Sequence, residues 1–339
     1  MPNRPTMRDV ARVAGVPLSA VPLVVANRPG VADERRQRVQ AAMEQLGYVP
    51  PAPRPRRGPR IGLVIEALRV PVLTDIFYGE VIAGIQAEAQ AQGCSVWLHV
   101  FDEDAESIDA LVAAARDECD GLILANGGEL TDARIGLLAA SGIPLVLVDN
   151  HVLGRELHCV IVDNLGAGYT ATRHLIELGH RRIAMLPGPR RYRNLVDRLD
   201  GYLDALSEAG IPADPALTPP PPAYEERKGE AQMQALLALP ERPTAVVAVS
   251  DKTAFGALGV LQRAGLRVPH DVSVASIDDV VDAATSVPAL TTVAVPKREM
   301  GGWAVRRLLG LFDDPPGPPR KTVLYTRLVE RASTAPLTP

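Results

Sequence analysis

The spacing of apolar and polar residues changes period along the chain. Between residues 61 and 149 the short β-rich runs IGLVIEA, SVWLHV, GLILA and PLVLVD alternate with helical stretches at 77–92, 105–118 and 131–141. Apolar runs of this length, separated by helix-period segments, predict a parallel sheet covered by helices. The rhythm returns from about residue 160 in CVIVD, RIAMLPG, TAVVAVS and DVSVASID, so two similar lobes are expected and not one large sheet. A ligand cleft between the lobes follows from that arrangement.

The first fifty residues follow a different pattern. Thr6 can cap a helix and form a box with Asp9, while Val10, Val13 and Ala14 make an apolar stripe that Gly15 ends. A second helix is expected from about Leu18 to Val25, stopped by the turn residues Asn27-Arg28-Pro29-Gly30. A third lies in ADERRQRVQAAMEQLGY, with Val39, Met43 and Leu46 on one face and Gly47 as its stop. Together the three bury one small core. From Pro50 to Arg60 the run PPAPRPRRGPR removes backbone donors and favours an extended, semi-rigid linker. The proline-rich stretches at 217–224 and 312–321 read as surface loops.

Charge sharpens the division. Residues 1–60 hold eleven arginines against Asp9, Asp33, Glu34 and Glu44, a balance of +7, which leaves −11 for the rest of a chain whose total is −4. A basic head on an acidic body suits a head that alone approaches a polyanion, although on charge alone a basic solvated face fits as well. No apolar stretch reaches the length of a membrane helix and the N-terminus has no export signal, so a soluble cytoplasmic protein with no membrane partner is expected. Cys94, Cys119 and Cys159 are odd in number and scattered, which argues against a disulfide framework or zinc site and reads as three small core residues. Nothing in the sequence calls for a metal or a cofactor.

Three segments, TMRDVARVAGV (6–16), VVANRPGV (24–31) and RVQAAMEQLGYVP (38–50), closely resemble the DNA-binding head of the lactose/galactose repressor (LacI/GalR) family. The resemblance runs on through IGLVIEA, TDIFYGEVIAGI, GIPLVLVDN, VIVDNLGAG, HLIELGHRRIAMLPG, DRLDGYLDALSEAGI, RPTAVVAVSD, LRVPHDVSVASIDD, PALTTVAVPKREMG and LVERAST. It implies an α/β protein with an all-α helix-turn-helix head at 1–49, a Pro/Arg-rich hinge linker at 50–60, and a two-lobed, periplasmic-binding-protein-like sensor with parallel sheets at 61–334. Lobe 1 is expected at about 61–158 and 293–320, and lobe 2 at about 159–290 and 321–334. The implied function is that of a transcription regulator, a repressor in type, that binds double-stranded operator DNA as a homodimer or tetramer. A sugar or nucleoside held between the lobes would set its operator affinity. A sensor that has lost specific DNA binding is the alternative.

A second helix presented by a tight turn can enter the major groove, which by position makes Leu18, Ser19 and Leu23 the base-reading residues. Thr6, Asn27, Arg36 and Tyr48 are candidates for phosphate contacts that fix register. The chain departs from the family at Pro17, Ala20, Pro22 and Ala26, where members usually carry Ser, Thr, Ser and Asn. Pro22 forfeits a helical backbone bond, so a short or kinked second helix and modest base discrimination are expected. Pro51, Pro53 and Pro55 exclude the family's hinge helix. Arg54, Arg56, Arg57 and Arg60 are then free to track phosphates as an extended arm, a role no better founded than that of a plain spacer.

For the cleft, the resemblance carries over Asp75, Phe77, Tyr78, Asp149, Asn150, Arg198, Tyr224, Ser250, Asp251 and Asp278 as effector-facing residues. Most stand at or just after strand ends, where open parallel sheets place ligands, and their mixture of carboxylates, one Arg and aromatic faces suits a polyhydroxylated ligand. Gly166-Ala167-Gly168-Tyr169-Thr170-Ala171 fits a dinucleotide fingerprint but lacks the acidic residue about twenty positions on, so close packing at a helix start is the better reading. The six histidines form no catalytic cluster, and neighbours Asp278 and Asp279 on one strand point to opposite faces. An enzyme is not expected.

Overall fold

A computed structural model describes residues 7–17, 21, 24, 33–46, 48, 58–66, 75–102, 105–125, 130–221, 228–313 and 317–337, and the chain divides into units at 1–57 and 58–339. In the first unit, α1 (Met7–Ala14) ends at Gly15, whose φ of 64° lets the Val16 N–H return to the Ala11 carbonyl at 3.1 Å. Helix α2 (Asp33–Leu46) lays Val39 and Ala42 against Val10, Ala11, Ala14, Val21 and Val24, with Met43, Leu46 and Tyr48 at the margin. Val13 is 40% exposed, contrary to the expected stripe. At 100° per residue the buried arc passes through positions 10, 14 and 11, and Val13 falls outside it.

In the second unit, β1 (Arg60–Glu66), β2 (Ser95–Phe101), β3 (Gly121–Ala125), β4 (Leu145–Val148), β5 (His158–Val162) and β10 (Lys321–Leu324) form one parallel sheet in the order β10-β5-β4-β3-β1-β2. The second sheet joins β6 (Ile183–Leu186), β7 (Ala245–Ala248), β8 (Ser273–Asp278), β9 (Thr291–Ala294) and β11 (Arg327–Val329) in the order β11-β9-β8-β7-β6, parallel except for β11. The central strands β3, β4, β7 and β8 are buried along their whole length, as strands covered by helices on both faces must be.

Sheet membership moves the expected lobe boundaries. β5, assigned from its rhythm to lobe 2, pairs with β4 through Val146 and His158 and so belongs to lobe 1. β9 pairs with β8 and falls in lobe 2, whereas β10 returns to β5 in lobe 1 before β11 crosses again. The chain therefore crosses between lobes after residues 162, 294 and 324. An apolar run looks alike in either sheet, and only its ladder partner decides. Arg60 likewise leaves the expected linker: it opens β1, its N–H donates to Asp120 at 2.7 Å, and its guanidinium lies 2.6 Å from Glu118. It is not available as part of an arm.

Two helix pairs set the geometry of the cleft. In lobe 1, α3 (Tyr78–Ala91) packs on α11 (Lys297–Asp313) so closely that a Cβ on Gly84 would stand 2.1 Å from the Arg298 carbonyl oxygen. In lobe 2, α6 (Asn164–Glu177) and α7 (Arg193–Glu208) repeat the device: a Cβ on Gly168 would lie 1.9 Å from the Arg198 carbonyl oxygen. Gly168 belongs to the apparent dinucleotide fingerprint, and its role here is helix contact. Of the cysteines, Cys159 is buried in the core, but Cys94 and Cys119 are only half-buried, just ahead of β2 and β3. No helix among the described residues is long and apolar enough to cross a membrane.

Candidate functional site

The carboxyl ends of the two sheets supply the site. Arg198 on α7 is 1% exposed and donates from Nε to Asn164 Oδ1 at 2.9 Å, and from Nη1 to the Val249 carbonyl and to Asp278 Oδ1, both at 2.8 Å. Three partners thus fix the guanidinium at the ends of β7 and β8 and at the start of α6. Asp278 is buried, and it and Asp279 take φ values of 131° and 53°, a left-handed region that side chains other than Gly seldom adopt. The turn sends them apart, Asp278 to Arg198 and Asp279 to Arg331 at 2.6 Å.

Lobe 1 contributes Asp149, just past β4, at φ 60° and 4% exposure. Its Oδ2 accepts from Tyr78 Oη at 3.5 Å and, from lobe 2, from Asn194 Nδ2 at 2.9 Å, while its Oδ1 has no hydrogen-bond partner among the described residues. Burial pushes the Asp149 carboxyl up to about 7; Arg198 opposes the rise and Asp278 adds to it. Burial, with help from Asp149, also holds the Tyr78 phenol well above its usual range. Glu66, ending β1, is buried too and accepts from the Leu130 N–H. The site thus sets the Asp149 and Asp278 carboxyl groups beside one guanidinium, with Glu66 acting on the Tyr78 side. An unpartnered buried oxygen there is a ready acceptor for a ligand donor.

The remaining expected residues take other places. Asp75 accepts the N–H groups of Phe77 and Tyr78, both at 2.9 Å, and so steadies the start of α3. Phe77 meets Tyr78 edge-on, with ring centroids 5.3 Å apart. Asn150 accepts from the His151 N–H at 2.8 Å, and Ser250 caps α9 (Asp251–Arg263) through the Thr253 N–H at 3.3 Å. Asp251 corrects the expectation: it is fully buried, and its carboxylate accepts from Ser276, from Thr292 at 2.7 Å and from the Val280 N–H at 2.8 Å. Both oxygens are taken up inside lobe 2, so it braces the β8 end and offers no face to the cleft. Tyr224 lies outside the described residues. Sequence reasoning missed Asn164, Asn194 and Glu66. The signal for Glu66 was there, a carboxylate closing the apolar run RIGLVIE.

Comparison with known proteins decides the family. Residues 6–51 match the family described as bacterial regulatory proteins, lacI family, and residues 172–334 match a periplasmic binding protein-like domain. The ribose operon repressor of Haemophilus influenzae is 33% identical over 97% of this chain and 98% of its own length. The chain belongs to the LacI family. The regulator GalR of Escherichia coli is also 33% identical, over 97% of this chain and 96% of its own. Among solved structures, the regulator CelR in complex with cellobiose superposes with a TM-score of 0.74 at 32% identity, covering 97% of this chain and 100% of that one. The Lac repressor dimer bound to operator and an anti-inducer gives 0.72 at 26% identity, covering 98% and 100%.

As a LacI-family protein the chain is a DNA-binding transcription regulator, not an enzyme. Its helix-turn-helix head precedes a two-lobed sensor of the periplasmic-binding-protein type. Of the residues expected at DNA, Arg36 is half-buried on α2, and Tyr48 packs on the head core with its N–H on the Met43 carbonyl at 2.9 Å. Thr6, Leu18, Ser19, Pro22, Leu23, Asn27, Arg54, Arg56 and Arg57 lie outside the described residues.

Proposed function

We propose that this LacI-family regulator is a cytoplasmic repressor that binds a two-fold-related operator as a homodimer. A neutral, hydroxyl-rich small molecule, a sugar or a nucleoside, would set its operator affinity from the cleft. The observation that carries the reading is the buried Arg198–Asp278 pair set close to the unpartnered Oδ1 of Asp149, at the carboxyl ends of both sheets. A ligand hydroxyl can donate to Asp149 while another accepts from the guanidinium, and Asn194 already links the lobes at that point. Arg198 is already paired with Asp278 and has Asp149 beside it, an arrangement that favours a neutral, hydroxyl-rich ligand over an anionic one such as a sugar phosphate. Relatives named for ribose and a structure with cellobiose support the polyhydroxylated class. The basic head supports operator contact through Thr6, Arg36, Asn27, Tyr48, Arg54 and Arg56, with bases read by Leu18, Ser19 and Leu23.

The test is a thermal-shift screen of neutral sugars and nucleosides, followed by gel shift with the DNA upstream of the protein's own gene. A ligand that protects the wild type should release or strengthen the DNA complex, and should fail to protect Arg198→Lys, which keeps the buried charge but loses the three-way fork. Equal protection of that variant would place the ligand elsewhere.

A further inference from the structure

Lys297, the first residue of α11, stands beside the second crossing between the lobes and is only 4% exposed. Its Nζ donates to the carbonyl oxygens of Asp278 at 2.6 Å, Asp279 at 3.0 Å and Val295 at 3.4 Å, and lies 3.6 Å from Glu80 Oε1. An ammonium has three protons. Two of those carbonyls belong to the consecutive positive-φ residues that end β8, a conformation that persists only where the surroundings over-determine it. The same backbone aims the Asp278 carboxylate at Arg198.

Glu80 faces the Lys297 ammonium from lobe 1, on the side away from the β8 carbonyls of lobe 2. It lies in the first turn of α3, two residues beyond Tyr78, whose hydroxyl meets Asp149. The two helices concerned touch backbone to backbone, Gly84 at the Arg298 carbonyl and Gly301 at the Val81 carbonyl, so α3 and α11 form one rigid body. Lys297 reaches from that body into lobe 2. The other charges nearby do not duplicate it: Arg298 is exposed and stands 3.9 Å from Glu80, Arg331 holds Asp279, and Arg198 holds Asp278.

We propose that Lys297 is the positioning residue that passes the state of the β8 end in lobe 2 to the first helix of lobe 1. This rests on the reading that Asp278 faces the effector. Loss of the Asp278 contact then loosens two carbonyls under the ammonium and shifts its balance toward Glu80, and a change at Glu80 must be felt at Asp278 in return, since coupling between sites is reciprocal.

Hydrogen–deuterium exchange on the full chain without ligand tests this. Glu80→Gln, a substitution in lobe 1, should raise exchange in the lobe 2 segment Ser276–Ala283 about threefold, and Lys297→Met should raise it about tenfold. In the double variant Glu80→Gln should add nothing to Lys297→Met, while Ile183–Leu186 stays at the wild-type rate throughout. If Lys297→Met does not fold, Lys297→Gln keeps a donor for the carbonyls without the charge and should also erase the Glu80→Gln effect. A purely local brace gives another result: Glu80→Gln leaves Ser276–Ala283 unchanged, or adds its full effect on top of the Lys297 variant, and either outcome overturns the proposal. Because no ligand is used, failure here leaves the Arg198 ligand test standing, and failure there leaves this one.

Discussion

Asp149→Asn should stabilise the sensor at and above neutral pH and lose that advantage toward pH 4. The backbone at φ 60° is one that Asn tolerates as well as Asp, and the amide keeps an acceptor for Asn194 and Tyr78. In the wild type, burial raises the carboxyl to about 7, against an unfolded value of about 3.9. Between those values the folded protein holds a proton that the unfolded chain has released, so stability falls as pH rises through the window and is level above it. Three pKa units correspond to an upper limit of about 4 kcal/mol, or on the order of 10 °C in melting temperature for a domain of this size. The buried histidines His158, His174 and His180, each pulled down by burial, lose stability toward acid, with the opposite sign. They are common to both proteins and cancel in the difference. Calorimetric unfolding of both from pH 4 to 9 should therefore give a variant-minus-wild-type curve that climbs from pH 4 to 7 and then flattens. A curve flat across that window would show that Asp149 is ionised in the folded protein throughout, and would remove the case for a strongly desolvated site.

Gly168→Ala should lower stability by about 1–3 kcal/mol in urea unfolding, because its Cβ would meet the Arg198 carbonyl oxygen at 1.9 Å and force α6 from α7; a neutral substitution would mean the helices separate without penalty. Asp251→Ala should cost about 1–3 kcal/mol for each group left buried without an acceptor, namely Ser276, Thr292 and the Val280 N–H, while a ligand that protects the wild type protects the variant equally. Loss of ligand protection in the folded variant would return Asp251 to the binding face.

Most strands of both lobes were legible because a strand covered on both faces must be apolar along its whole length, and IGLVIEA or TAVVAVS has no other economical use, whereas the short strands β9, β10 and β11 were not picked out. The head was legible for a related reason: Val10, Ala14, Val39 and the glycine at 15 fit one helical period and one stop. What stayed hidden was relational. Nothing in CVIVD distinguishes a strand that pairs with Val146 from one that opens a second sheet, and nothing around Arg60 shows that Glu118 is 58 residues away in sequence and 2.6 Å away in space. The proposed site divides along the same line. Arg198, Asp149 and Asp278 were singled out through resemblance and the structure sets them close together, but Asn194 and Lys297, whose contacts cross the lobe boundary, carry no local pattern of their own. Asp251 misled because an aspartate after a strand serves equally to bind a ligand or to cap and brace, and only its three internal donors separate the two.

The glycines explain how a cleft between two bodies can hold its polar groups in a fixed arrangement. In lobe 1 the contact of Gly84 and Gly301 unites the helices that begin with Tyr78 and Lys297; in lobe 2 the contact of Gly168 and Gly201 unites those that carry Asn164, Asn194 and Arg198. Each pair brings backbone against backbone, where no side chain can swing aside, so every polar group on the two helices is referred to one frame. A larger residue at any of the four positions would force its helix pair apart and so shift the polar groups that both helices carry. The contacts that bridge the two frames are Asn194 on Asp149 and Lys297 between Glu80 and the β8 carbonyls, and on the proposed reading they are where a bound molecule would alter the angle between lobes.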